Sequence, residues 1–116
     1  MKRIAILGRG AAGKSTLAKQ LSERLTLPVI ELDELFWRPG PTPTPPDDWQ
    51  HTHDQLIGHD RWIIDGDLSE YDNRLDERMA RADTIIILDF PLHISVIRAL
   101  RRSRETREFW TWLIHY

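Results

Sequence analysis

The fold of this chain is decided near its N-terminus by the stretch Gly8-Arg9-Gly10-Ala11-Ala12-Gly13-Lys14-Ser15-Thr16. It matches the pattern G-x-x-x-x-G-K-[ST], in which glycines and small residues let backbone N–H groups turn inward around a phosphate. An apolar run, Ile4 to Leu7, precedes the stretch, and a segment with helical periodicity follows it. A strand, a glycine-rich loop and a helix in this order predict a phosphate-binding loop.

Two side chains of the loop have the chemistry of a nucleoside triphosphate site. We expect Lys14 to contact the β- and γ-phosphates and the Ser15 hydroxyl to bind Mg²⁺. The helix that starts near Gly13 would direct its free N–H groups and its positive dipole end at the same phosphates. Because the sequence contains no N/T-K-x-D guanine-reading motif, the pattern predicts ATP and Mg²⁺ as ligands.

The composition narrows the class of protein. At 116 residues the chain has the size of one small domain, and we predict a single domain over residues 1–116. A net charge of −2 gives no general affinity for nucleic acid, so we expect no DNA partner. The absence of cysteine excludes a thiolate zinc site. The chain starts on its first strand, and its apolar runs are too short to span a bilayer, which predicts a cytoplasmic protein without a membrane partner.

Apolar runs and helical periodicity alternate along the chain. We predict strands at 2–7, 29–32, 61–64 and 84–88, and helices at 14–25, from Asp47 or Asp48 onward, and at 75–82. A further helix is expected from Pro91 to about Arg104, and more helix over 105–116. The proline-rich stretch 38–46 is expected to be an irregular exposed loop. This order predicts an α/β three-layer sandwich with a parallel sheet of about four strands.

Acidic residues follow the later strands, at the sheet edge where parallel sheets bind their ligands. Asp33 follows the second strand, Asp65 the third and Asp89 the fourth. Asp65 ends an apolar strand. This position favours one of two roles: a Walker B carboxylate, which binds Mg²⁺, or an acid at the acceptor site. Asp89 is instead expected to cap the helix that begins at Pro91.

Three longer motifs carry a family resemblance: P-V-I-E-L-D-E-L-F-W-R-P-G at Pro28–Gly40, W-I-I-D-G at Trp62–Gly66 and R-A-D-T-I-I-I-L-D-F-P at Arg81–Pro91. Together with the loop they resemble the adenylate-kinase-like proteins often labelled DNA topology modulation proteins, in the small-kinase branch of the P-loop NTPases. The resemblance covers about residues 1–102 and the aromatic segment Phe109–Trp112. It implies nucleotide-dependent phosphoryl transfer with an unassigned acceptor.

The same resemblance implies roles for residues outside the loop. Asp33 would act as general base or as a water-mediated ligand of Mg²⁺, with capping of the helix from Glu34 as the alternative. Arg101 and Arg102 would neutralise charge on the transferred phosphoryl group from a shortened arginine-rich lid over 98–108. The alternative for these arginines is a solvated helix face.

Four residues flank the expected acceptor cleft. Arg38 and Arg74 are candidates for holding an anionic acceptor. Phe36 and Trp37 are candidates for an aromatic wall against a ring-bearing acceptor, the alternative being simple packing of the proline-rich loop.

The sequence departs from that family in two ways. Members of that family carry a longer lid and a fifth strand that helps to hold the base, and no fifth strand is expected in this sequence. We therefore predict a small kinase that binds Mg²⁺ and ATP and phosphorylates a small-molecule or nucleotide acceptor, and leave open a nucleotide-binding regulatory module with little transferase activity. A C-terminal helix exposing Trp110, Trp112 and Tyr116 would favour a homodimer.

Overall fold

The computed structural model describes residues 1–8, 11–89 and 93–98. The elements in chain order are β1 (Arg3–Gly8), α1 (Ala11–Leu25), β2 (Val29–Glu31), α2 (Leu32–Phe36), β3 (Trp37–Arg38), β4 (Thr42–Pro43), α3 (Pro46–Ile57), β5 (Trp62–Asp65), α4 (Leu75–Arg81), β6 (Thr84–Asp89) and β7 (His93–Arg98). A 3-10 turn over Ser69–Tyr71 lies between β5 and α4.

Four strands of the main sheet run parallel, in the spatial order β2-β5-β1-β6. The register pairs Ile6 with Asp65 and Gly8 with Leu88, so β1, β5 and β6 end at the same edge of the sheet. This arrangement confirms the predicted α/β class and the parallel sheet of about four strands. The edge at which these strands end is where α1 begins.

The segment that follows β6 is a strand where the sequence predicted a helix. β7 pairs antiparallel with β6, from Asp89 opposite His93 to Thr84 opposite Arg98. Half of its residues are β-branched, and such side chains favour strands over helices. The predicted helix from Pro91 is therefore wrong over His93–Arg98, and Asp89, its predicted cap, is the last residue of β6. The prediction that no fifth strand is present is also wrong, because β7 is the fifth strand of this sheet. The rest of that helix and of the lid lies outside the described residues.

Apolar clusters lie on both faces of the sheet. One cluster joins Leu17 and Leu21 of α1 to Ile4 and Ile6 of β1. The other joins Ala5, between those two isoleucines, to residues of α2 and α3. Consecutive residues of a strand point to opposite faces, so helices cover the sheet on both sides, as the predicted three layers require. In the part of the chain that is described, no helix has the length and apolar character needed to cross a membrane.

The proline-rich stretch 38–46 is more regular than the predicted loop. β3 and β4 form a short antiparallel hairpin whose turn contains Gly40, with φ +127°. Pro43 lies in β4, where a residue without an N–H donor is tolerated because the hairpin has two edges. α3 then begins at Pro46, and Asp47 and Asp48 lie in its first turn instead of capping it. Proline suits the first helical turn, and acids there interact favourably with the helix dipole.

A charged network with buried Arg78 and His53 at its centre joins α3 to α4. The guanidinium of Arg78, fully buried, donates hydrogen bonds to Asp72 and, over 3.0 Å, to Nε2 of His53. Because arginine only donates, Nε2 must accept, and the ring proton lies on Nδ1, 3.3 Å from a carboxylate oxygen of Asp54. Arg74 binds the same carboxylate over 2.7 and 2.8 Å. The sequence analysis did not predict this network.

The buried histidine makes the stability of the fold depend on pH. Burial lowers the pKa of His53, and its hydrogen bond with Asp54 only partly opposes this effect. Below the unfolded pKa of about 6.5 the unfolded chain binds more protons than the folded one, so the free energy of unfolding should fall as the pH falls towards the folded pKa. His53→Gln should remove this part of the dependence in urea denaturation between about pH 7.5 and 5.5. His51→Gln, an exposed change on the same helix, should retain it, and identical pH profiles for both variants would contradict the assignment.

The turn out of β1 requires glycine. Gly8 has φ +130°, and a Cβ there would lie 2.0 Å from the carbonyl oxygen of Leu88. Gly66 also has a positive φ, +106°, but open space around it. Gly66→Ala should therefore cost only backbone strain, about 1–3 kcal/mol, whereas Gly8→Ala must also push β1 away from β6. We expect urea denaturation to show the larger loss for Gly8→Ala; equal losses would contradict this close approach.

Candidate functional site

A cavity of about 160 Å³ opens at the sheet edge where β2, β5 and α1 meet. Its lining is mostly charged or polar and consists of Lys14, Ser15, Glu31, Asp33, Asp65 and Gly66. These residues come from three separate segments of the chain, which the parallel sheet brings to one edge. Lys14, Ser15, Asp33 and Asp65, all predicted site residues, therefore line one cavity.

The phosphate loop connects β1 to α1 beside this cavity. Gly8 ends β1, and α1 begins at Ala11, three residues earlier than predicted, so Ala11 and Ala12 form its first turn with Gly13. A Cβ on Gly13 would lie 3.0 Å from a methyl carbon of Leu88, so a larger residue there would crowd β6. Arg9 and Gly10 lie outside the described residues, and Thr16 is exposed on α1.

Asp65 is the most buried acid of the cavity. Asp65 is only 7% exposed, and its Oδ1 has no hydrogen-bond partner within the described residues. Burial raises the pKa of Asp65; Lys14 opposes this effect, while the neighbouring Glu31 adds to it. A bound cation would supply the partner that the carboxylate lacks.

The oxygen ligands at this edge fit a hydrated Mg²⁺. No group of three or more His, Cys, Asp or Glu side chains that could hold a metal ion occurs among the residues described. Mg²⁺ commonly keeps several waters and takes one or two protein oxygens together with phosphate oxygens. The hydroxyl of Ser15 and the unpartnered Oδ1 of Asp65 are oxygens of this kind.

Glu31 lines the cavity although the sequence analysis did not select it. It is the last residue of β2, it lies opposite Asp65 in the register, and its Oε1 accepts a hydrogen bond from Ser15 over 3.4 Å. A hydrogen bond with Glu31 also raises the pKa of Glu34. The boundary of the predicted strand explains why Glu31 was missed. A strand that ends at Glu31 instead of Leu32 places this carboxylate at the binding edge.

Asp33 lies in the first turn of α2 and not at the end of a strand. It still lines the cavity, because α2 follows β2 without a loop. Its Oδ1 accepts a hydrogen bond from the indole Nε1 of Trp37 over 3.3 Å. This bond links the carboxylate to Trp37, and Asp33 shares the lining of the cavity with Lys14.

The predicted acceptor residues fall into two groups. Phe36 is buried, and its ring lies edge-on to that of Trp37, which is 36% exposed, at a centroid distance of 5.0 Å. Arg38 instead pairs with Asp48 over 3.3 Å on the surface, and Arg74 pairs with Asp54, whose side chain is 40% exposed. The structure thus keeps the two aromatic residues together, and neither arginine lines the cavity of Lys14.

Two predicted catalytic residues, Arg101 and Arg102, lie outside the described residues, as does the aromatic segment predicted to form a homodimer.

The chain is similar in sequence to adenylate kinases. It is 34% identical over 113 residues to the adenylate kinase of Mycobacterium leprae strain Br4923, and the same figure holds for that of strain TN. Each alignment covers 90% of this chain and 56% of the relative, so the chain spans about half the length of the curated relatives it matches. A gluconokinase from Sinorhizobium meliloti 1021 resembles the structure with a TM-score of 0.46 and 20% identity, over 76% of this chain and 56% of that one. No family model matches.

The loop sequence and the parallel sheet agree with the α/β fold of P-loop proteins, and the sequence is similar to that of adenylate kinases. The narrower resemblance to the topology modulation proteins stays a prediction.

The buried carboxylate should oppose folding when no cation is bound. Because the pKa of Asp65 is raised on folding, its ionised form destabilises the free protein once the pH exceeds the unfolded value of about 3.9. Asp65→Asn should therefore raise the Tm of the free protein by a few degrees at neutral pH and remove the rise in Tm that Mg²⁺ and ATP cause in the wild type. Thermal denaturation measures both effects. Asp60→Asn, whose side chain is 88% exposed, is the control and should change neither; a lower Tm for Asp65→Asn would be evidence against the burial penalty.

Proposed function

We propose that this protein binds ATP with Mg²⁺ and transfers the γ-phosphoryl group to a hydroxyl of a small acceptor. One observation carries the proposal: Lys14, Ser15 and Asp65 line a single cavity at the edge where the parallel strands end. The sequence likeness to adenylate kinases over 90% of the chain supports a nucleotide as the phosphoryl donor.

In this proposal each residue of the cavity has a distinct task. The ammonium group of Lys14 contacts the β- and γ-phosphates, and the N-terminal N–H groups of α1 face the same oxygens. Ser15 and Asp65 hold the metal ion. Mg²⁺, when bound, supplies positive charge that stabilises the phosphate oxygens during transfer.

Asp33 orients the acceptor. The acceptor oxygen forms a bond to the γ-phosphorus, the bond from that phosphorus to the bridging oxygen breaks, and ADP leaves with the electron pair. The hydroxyl proton passes to the Asp33 carboxylate. The hydrogen bond from Trp37 holds this carboxylate in place, so Trp37 is a positioning residue.

The proposal includes the cytoplasmic location and the lack of a DNA partner as predictions from the sequence. A homodimer through the aromatic C-terminal segment remains a prediction of the same kind.

The loop lysine tests the donor site. Lys14→Ala should weaken binding of ATP in the presence of Mg²⁺ about 10- to 100-fold, because a hydrogen bond to a charged group contributes about 1.5–3 kcal/mol and each 1.4 kcal/mol is a factor of ten. Isothermal titration calorimetry measures the affinity. Lys19→Ala, an exposed change five residues later on the same helix and outside the lining of the cavity, is the matched control and should bind as the wild type does. Equal affinity in both variants would exclude this donor site.

The alternative function, a nucleotide-binding regulatory module, shares the donor site but not the transfer. It predicts the same dependence on Lys14 in the binding experiment. It differs in an assay of ADP release, where a kinase turns over several-fold faster with its acceptor and a regulatory module does not.

A further inference from the structure

A second cavity lies at the other end of α2 from Asp33. It has a volume of about 320 Å³, and three prolines of the stretch 38–46 form part of its wall. The other lining residues are aromatic or polar: Phe36, Thr44, Trp49, Glu70, Tyr71 and Asn73. We call this cavity the aromatic cleft. Its volume is at the small end of the range for pockets that bind small molecules, about 300–1,000 Å³.

Aromatic rings that pack against one another form the walls of the aromatic cleft. The ring of Phe36 lies 5.2 Å from that of Trp49 and 5.8 Å from that of Tyr71, measured between centroids. Tyr71 also packs edge-on against Trp37 at 5.4 Å, yet it remains 45% exposed. Aromatic and proline rings of this kind suit a flat ring that stacks or packs edge-on.

The cleft has no positive charge in its described lining. None of the described residues that line it is Lys or Arg, and its charged member is the acid Glu70. The arginines of the adjacent helices are engaged with other carboxylates: Arg74 with Asp54, and Arg78 with Asp72. A phosphate group in the cleft would therefore meet a carboxylate and no cation, which disfavours an anionic occupant.

The polar groups of the cleft match the edge of a heteroaromatic ring. The carboxylate of Glu70 accepts hydrogen bonds, and the amide of Asn73 both donates and accepts them. A ring that carries both N–H donors and acceptor nitrogens or oxygens would satisfy these groups, whereas a hydrocarbon ring would leave them unpaired.

The cleft shares helix α2 with the cavity of Lys14, Ser15 and Asp65, which we call the phosphate cavity. Asp33 lines one cavity and Phe36 the other, and residues three apart on a helix have Cβ atoms about 5–6 Å apart. Trp37 links the two, since it binds Asp33 and packs on Phe36. A molecule with its ring in the cleft therefore needs an arm of only a few atoms to bring a hydroxyl to Asp33.

We propose that the acceptor is an uncharged heteroaromatic molecule with a hydroxylated arm, of the chemical class of a nucleoside, and that its ring binds in the aromatic cleft. The transfer step rests on the proposed function, but binding of the ring does not. The competing class of acceptor is a nucleoside monophosphate, which carries the same ring and two negative charges.

The probes are adenosine, guanosine, cytidine and uridine, each compared with its 5′-monophosphate by isothermal titration calorimetry, with and without a non-hydrolysable ATP analogue. We expect at least one nucleoside to bind several-fold more tightly than its monophosphate. Tyr71→Ala should weaken this binding about fivefold or more, since stacking of a base on an aromatic side chain contributes about 1–3 kcal/mol. Leu35→Ala, which removes an exposed apolar side chain of α2 that does not line the cleft, is the control and should bind normally.

A second variant tests the charge argument. Glu70→Gln should narrow the preference for the nucleoside over the monophosphate and leave ATP binding unchanged. Three results would each overturn the inference. The wild type binds every monophosphate more tightly than its nucleoside, Tyr71→Ala binds the nucleoside as tightly as the wild type does, or no nucleoside binds. ATP binding that depends on Lys14 would still support the donor site in those cases. If the wild type binds a nucleoside in this way, with weaker binding by Tyr71→Ala, but does not bind ATP, the proposed function is overturned and the cleft remains a ring-binding site.

Discussion

At Gly8 the backbone of β1 leaves the sheet in contact with the carbonyl group of Leu88 in β6. No Cβ fits there, because it would lie 2.0 Å from the carbonyl oxygen. This contact lets the chain turn at the very edge of the sheet, so that α1 begins only three residues later, at Ala11. Lys14 and Ser15 then reach the end of β5, where Asp65 lies. The phosphate cavity is thus a consequence of how closely two neighbouring strands approach each other.

The short helix α2 depends on the core in a similar way. Five residues are too few for a helix to be stable by itself in water. Leu32 and Phe36, both buried, fix α2 against the sheet, and Asp33 and Trp37 follow from that placement. The carboxylate that we assign to the acceptor is therefore positioned by apolar packing, and the aromatic cleft is bounded by the same packing.

Much of the fold could be predicted from local patterns. The loop has a fixed spacing, and apolar runs of four to six residues between helical segments identify parallel strands, which is why the four parallel strands of the main sheet agree with the prediction. The segment His93–Arg98 was assigned wrongly because Pro91 suits a helix start, whereas the pairing of β7 with β6 is a contact between strands. Similarly, the sequence analysis made Arg74 a candidate for holding an anionic acceptor, but in the structure Arg74 pairs with Asp54, 20 positions away on α3. Such pairings depend on tertiary structure and leave no local signal.

The unpartnered oxygen of Asp65 has a consequence for how long the protein persists. A ligand that binds only the folded state shifts the unfolding equilibrium by RT ln(1 + [L]/Kd), and the shift matters most for a protein whose empty form is strained by a buried charge. Proteases act on the unfolded fraction, so cleavage would be fastest when the cavity is empty. In a cell with abundant ligand the protein would accumulate, and in a depleted cell it would be degraded sooner. Binding of the proposed ligand would in this way slow the degradation of the protein.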